Sequence, residues 1–88
     1  MPLRSGTFGF RYVYLLESKS AEDGFYTGMT EDLGARLVAH NAGRVSSTRK
    51  GRPWEIRVAV AFRDPARAAA LEHYLKSGSG RAFAIRHL

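Results

Sequence analysis

The chain contains no cysteine, which removes disulfides and thiolate metal sites from consideration. Any bound metal must use oxygen or imidazole donors. Long apolar runs are also missing, and no stretch approaches the roughly 18 residues of a membrane-spanning helix. Residues 1–7, Met1-Pro2-Leu3-Arg4-Ser5-Gly6-Thr7, lack the apolar core of a signal peptide. These absences lead us to expect a cytoplasmic protein. Several sequence signatures of catalysis are absent too. There is no Gly-rich loop ending in Lys-Ser/Thr, no His-Glu-x-x-His and no Gly-x-Ser-x-Gly. Gly78-Ser79-Gly80 is too short to cradle a nucleotide and reads as a joint between helices.

What is present suffices for one domain. Of the 88 residues, 44% are hydrophobic, and five Phe, four Tyr and one Trp supply bulk for a core. Residues 1–7 read as a loose lead-in and 8–88 as a single folding unit. Fourteen basic residues stand against eight acidic ones, a net charge of +6. The excess is lopsided. Residues 1–32 carry three basic and five acidic side chains, a net of −2; residues 33–88 carry eleven and three, a net of +8. Cations gathered in one part of a chain suit a polyanion, because they neutralise phosphates and release counterions. Ordinary surface charge for solubility produces the same composition.

Phe8 to Leu16 alternates, with Phe8, Phe10, Tyr12, Tyr14 and Leu16 on one parity, as a strand does. Asp23-Gly24 signals a turn, and Phe25-Tyr26-Thr27-Gly28-Met29 reads as the second strand of a hairpin. Thr30 is a candidate N-cap, with Glu31 and Asp32 in the first turn of a helix whose stripe is Leu33, Leu37 and Val38. Gly43 ends it. Arg44 to Pro53 reads as a polar, basic loop. Trp54 to Phe62 is the third strand, with Ile56, Val58, Val60 and Phe62 expected on one side. Asp64-Pro65 starts a helix that runs to about Lys76. Ser79 is expected to cap a last helix from Gly80 to Leu88. The order β-β-α-β-α-α implies an α+β domain: a small three-stranded, mainly antiparallel sheet flanked by helices.

Polar residues stand out against this frame. Tyr14 and Tyr26 lie on neighbouring strands, Arg36 and His40 are one helical turn apart, and Glu72 borders the apolar face of its helix. Each has a plain structural explanation. Strand tyrosines commonly pack with a wet hydroxyl, Arg36 could pair with Glu31 or Asp32, and Glu72 with Lys76 four residues on. Periodicity does not decide between these readings and a functional one.

Tyr12-Val13-Tyr14, Tyr26-Thr27-Gly28, Arg36-Leu37-Val38-Ala39-His40-Asn41 and Leu71-Glu72-His73-Tyr74-Leu75-Lys76-Ser77-Gly78 together resemble the GIY-YIG nuclease domain. The likeness spans residues 10 to 88 and is nearest the short stand-alone bacterial members related to the N-terminal domain of the excision-repair nuclease subunit UvrC. It implies the GIY-YIG nuclease fold and a divalent-metal-dependent endonuclease that hydrolyses phosphodiester bonds in DNA, in repair or recombination. By that resemblance Tyr26 is the general base or orients the water, and Arg36 stabilises the transition-state oxygens. Glu72 holds a single ion, Mg²⁺ or Mn²⁺, while Tyr14 positions the water or Tyr26 and His40 touches the scissile phosphate. A free phenol ionises near about pH 10, so a tyrosine base needs positive charge beside it. A guanidinium suits phosphate oxygens. One carboxylate is enough for magnesium, which keeps several waters.

The sequence departs from the pattern in several places: Tyr12 and Thr27 replace the Gly and Ile of the name motifs, at positions that shape strands more than they carry chemistry. Met29 stands where UvrC-like members carry a lysine, and no Asn follows Asn41, whereas some members carry one after the metal-binding Glu. In the basic loop, Arg44, Ser46, Ser47, Thr48, Arg49, Lys50 and Arg52 would contact backbone phosphates, which position a duplex without reading its sequence. DNA is the expected partner, with RNA left open, no organic cofactor, and a monomer or weak dimer as the assembly. The alternative is a nucleic-acid-binding module with weak or no catalysis.

Overall fold

The computed structural model describes residues 9–21 and 24–88. The lead-in 1–7, Phe8 at the expected start of the first strand, and Asp23 of the turn lie outside the described residues. The elements are β1 (Arg11–Ser18), β2 (Phe25–Thr30), α1 (Leu33–Asn41), a 3-10 segment (Ser46–Gly51), β3 (Trp54–Phe62), α2 (Pro65–Lys76) and α3 (Gly78–His87). The sheet order is β2-β1-β3 and both pairings are antiparallel. This is the expected β-β-α-β-α-α architecture.

β1 is the middle strand, and Val13, Tyr14, Leu15 and Leu16 are all buried. Its odd positions face one core, its even positions another. Val13 and Leu15 pack with Ala68, Leu71 and Leu75 of α2, Ala84 of α3, and Met29, Val58 and Phe62 of the sheet. On the opposite face Tyr14 and Leu16 pack with Trp54, Ile56, Tyr26, and Leu33 and Leu37 of α1. α1 therefore covers one side of the sheet, and α2 with α3 the other.

β3 does not keep the single-sided pattern expected of it. The β1–β3 register shifts between Leu15 and Leu16, so Leu15 faces Val58 while Leu16 faces Ile56. Arg57 is the extra residue of this bulge, which rotates the strand. Ile56 consequently joins the Tyr14 side, and Val58 and Phe62 the Val13 side.

Three helix starts illustrate how capping sets boundaries. Asp32, not Thr30, caps α1, its carboxylate accepting from Ala35 N at 3.1 Å. Thr30 instead accepts from Asp32 N at 3.1 Å, a turn that delays the helix by two residues. Asp64 caps α2 with Pro65 behind it, as expected. Ser77, not Ser79, caps α3 by accepting from Gly80 N at 3.1 Å.

Candidate active site

The polar residues of the α1 face form a chain of hydrogen bonds. Tyr14 Oη and His40 Nε2 are 2.8 Å apart, His40 Nδ1 and Thr48 Oγ1 are 2.8 Å apart, and Thr48 Oγ1 donates to Val45 O at 3.2 Å. The last bond sets the direction of the others. A threonine hydroxyl that spends its proton on a carbonyl must accept from Nδ1–H. Nε2 is then the lone-pair nitrogen, and the Tyr14 phenol donates to it. Arg36 Nε donates in turn to Tyr14 Oη at 3.4 Å, the weakest link by length.

Burial locks this arrangement. Tyr14, His40 and Thr48 are 2%, 0% and 1% exposed. Burial pushes the Tyr14 phenol above its ordinary value of 10.0, against the opposing hydrogen bond and charge of Arg36. His40 is held below 6.5, first by burial and then by the charge of Arg36. A neutral imidazole and a protonated phenol are the states that the bond directions require. Arg36 is held more firmly positive, first by its bond to Tyr14, with smaller contributions from Tyr26.

Gly28 makes room for this network. A Cβ there would collide with the Tyr14 hydroxyl and its ring carbon Cζ. The second strand brings its glycine opposite Tyr14, so the tyrosine can lie flat across it.

Tyr26 is the accessible phenol of the group. It is only half-buried, and its ring centroid lies 5.0 Å from that of His40 and 6.4 Å from that of Tyr14. Glu72 comes from α2, on the other side of the sheet, yet its charge is close enough to raise the proton affinity of Tyr14. Its side chain is 23% exposed, with Oε2 3.2 Å from Lys76 Nζ. The expected pairing of Glu72 with Lys76 is thus present. The pairing of Arg36 with Glu31 or Asp32 is not, since Glu31 bonds Arg11 at 2.9 Å and Asp32 caps its helix.

A family model described as the GIY-YIG catalytic domain matches residues 10–84. The chain belongs to the GIY-YIG family. No curated protein matches it. A GIY-YIG catalytic domain is a nuclease-type domain, so its substrate is nucleic acid. The three-stranded antiparallel sheet with its flanking helices is the GIY-YIG fold.

Within this GIY-YIG domain two expected roles need revision. His40 has no exposed surface and both ring nitrogens are bonded inside the protein. It orients Tyr14 and leaves no atom for a phosphate. Thr48 is likewise unavailable to nucleic acid, because its hydroxyl is shared between His40 and Val45 O. The remaining loop residues Arg44, Ser46, Ser47, Arg49, Lys50 and Arg52 are exposed. Within the expected basic loop, Ser46–Gly51 form a 3-10 turn. Arg49 Nε donates to Gly43 O at 3.0 Å and Arg52 Nε to Arg49 O at 2.8 Å. Trp54 pins the turn from below, its indole donating to Thr48 O at 2.7 Å. Asn41, which carried no assigned role, clamps the Trp54 backbone through bonds of 2.6 and 2.9 Å. Neither partner of that clamp is marked in sequence, since thirteen residues separate them.

Glu72 offers one carboxylate, with Lys76 Nζ as its ion-pair partner. Among the described residues no group of three His, Asp or Glu could hold a metal, so an ion there would complete its shell with water and substrate oxygens. Magnesium tolerates such a site. Lys76 is half-exposed and can swing into solvent at small cost, since exposed pairs contribute about 0–1 kcal/mol.

Proposed function

We propose that this GIY-YIG domain is an endonuclease that hydrolyses phosphodiester bonds in DNA with one divalent cation, Mg²⁺ or Mn²⁺, at Glu72, in repair or recombination. The observation that carries the reading is geometric: Arg36 Nε lies 3.4 Å from the Tyr14 hydroxyl, and the Tyr26 ring centroid lies 6.4 Å from that of Tyr14. Arg36 lowers the proton affinity of the Tyr14 phenol, while Tyr26 and Glu72 raise it. A guanidinium, two phenols and a carboxylate from four elements therefore act on one small region.

The buried members hold and the exposed members react. His40 and Tyr14 form a neutral, inward-facing support that aims the Arg36 guanidinium. Tyr26 is the phenol that a water can reach, and it orients that water and accepts its proton. Arg36 beside it stabilises charge that develops on the phosphate oxygens. A cation at Glu72 supplies Lewis-acid polarisation of the phosphate when bound. Exposed cations of the 3-10 turn hold the flanking backbone without reading bases.

Incubation with supercoiled plasmid and Mg²⁺ or Mn²⁺ tests this directly, alongside Glu72→Ala and Arg36→Ala. Nicking by the wild type that disappears in both folded variants is expected. Equal traces in all three preparations would leave a nucleic-acid-binding module without chemistry.

A further inference from the structure

A cavity of about 470 Å³ opens beside the reacting residues, on the α2 and α3 side of β2. Its volume lies within the roughly 300–1,000 Å³ of sites that enclose small organic groups. Leu15, Leu75 and Ala84 make its buried floor. Phe25 and Ile85 stand in its wall, 38% and 66% exposed. Tyr26 contributes to the lining from β2, although its ring packs on the opposite, α1 side of the sheet. Three cations, Arg57, Lys76 and Arg81, complete the lining.

The cations differ in how they are engaged. Arg57 is committed to structure, bonding Glu17 at 2.9 Å and lying 5.3 Å over the Phe25 ring. That contact braces the aromatic wall. Arg81 forms no ion pair among the described residues, leaving its charge for a ligand. Lys76 links the cavity to the reacting side by its bond to Glu72, one helical turn or about 6 Å away along α2.

An apolar slot with an aromatic wall and a cationic rim matches one chemical object well: a nucleobase with its sugar and phosphate. Bases within a duplex present edges and keep their faces stacked on one another, so only an unpaired base could lie against Phe25. Resting on the nuclease reading above, we propose that this cavity receives one unpaired nucleotide adjoining the scissile phosphate. Arg81 and Lys76 hold that nucleotide's phosphate, and the domain prefers nucleic acid with an unpaired residue at the cut over intact duplex.

The test is made without metal, so that no cleavage intervenes. Fluorescence anisotropy at one fixed salt concentration compares three labelled DNAs: a blunt duplex, the same duplex with a short unpaired tail, and a tail whose bases are removed to leave abasic sugars. Wild type should bind the tailed duplex roughly tenfold more tightly than the blunt one, the order expected of one base–aromatic stack. The abasic tail should lose most of that gain. Phe25→Ala should flatten the preference, and Phe25→Trp should preserve it. Equal affinity for all three DNAs, or a preference that survives both the abasic tail and Phe25→Ala, overturns the proposal. The abasic comparison uses wild-type protein and therefore stands even if a variant misfolds. Failure here leaves plasmid nicking by the wild type untouched, whereas an intact preference without any nicking would refute the nuclease reading alone.

Discussion

Tyr14 donates a hydrogen bond to His40 Nε2 across 2.8 Å, from the middle strand to the helix that covers it, 26 positions further along the chain. Replacing Tyr14 by Phe removes the donor for Nε2 and the acceptor for Arg36 at once. A buried acceptor left unpaired costs about 1–3 kcal/mol. Urea unfolding should show a loss of that size, accompanied by weaker nicking as Arg36 loses its anchor. An unchanged midpoint would mean that the network contributes nothing to stability.

Two glycine substitutions separate this site from general packing. Gly28→Ala drives a methyl into the Tyr14 hydroxyl, and overpacking of this kind costs roughly 1–3 kcal/mol. Gly34→Ala places its methyl no nearer than 3.7 Å to Asp32 Oδ1. It should be neutral or stabilise by about 0.4–1 kcal/mol, through a less flexible unfolded chain. Melting temperatures that move in opposite directions are expected. Equal destabilisation by both would count against the clearance role of Gly28.

Stability should depend on pH through His40. Its folded value lies below the ordinary 6.5, so the unfolded chain binds the extra proton more readily. The contribution is complete above the unfolded value and is lost as the pH falls from there towards the folded one. Calorimetry of wild type and His40→Gln at pH 8 and pH 5 should show a larger drop in Tm for the wild type. Parallel drops would place the acid sensitivity elsewhere.

Lys76 pairs with the Glu72 carboxylate and would compete there with the proposed cation. Lys76→Met should lower the Mg²⁺ concentration for half-maximal nicking by roughly two- to fivefold, the scale of an exposed ion pair. A requirement that does not change, or that rises, would remove Glu72 from the cation's shell.

Much of the fold was legible because it rests on local signals. The boundaries of β3 and α2 follow from strand periodicity and from Asp64-Pro65. The capping of α1 and α3 was misplaced because Thr30 and Ser79 have the same chemistry as the true caps Asp32 and Ser77. Local composition does not rank such neighbours. The bulge at Arg57 was invisible for a different reason, since it is a property of the β1–β3 pairing and not of either strand. At the site, periodicity alone could not choose between structural and chemical roles for Tyr14, Tyr26, Arg36 and Glu72. The resemblance supplied the set, and the coordinates divided it. His40 and Thr48 moved to supporting roles because their burial depends on the 3-10 turn folding back over α1.

Because β1 presents its reacting-side and packing-side residues alternately, its length is constrained as well as its composition. Deleting or inserting a single residue between Arg11 and Ser18 would exchange the two sets, turning Tyr14 towards α2 and Leu15 towards α1. Descendants of this sequence can therefore change that ribbon by substitution only, and natural variation in chain length should spare it.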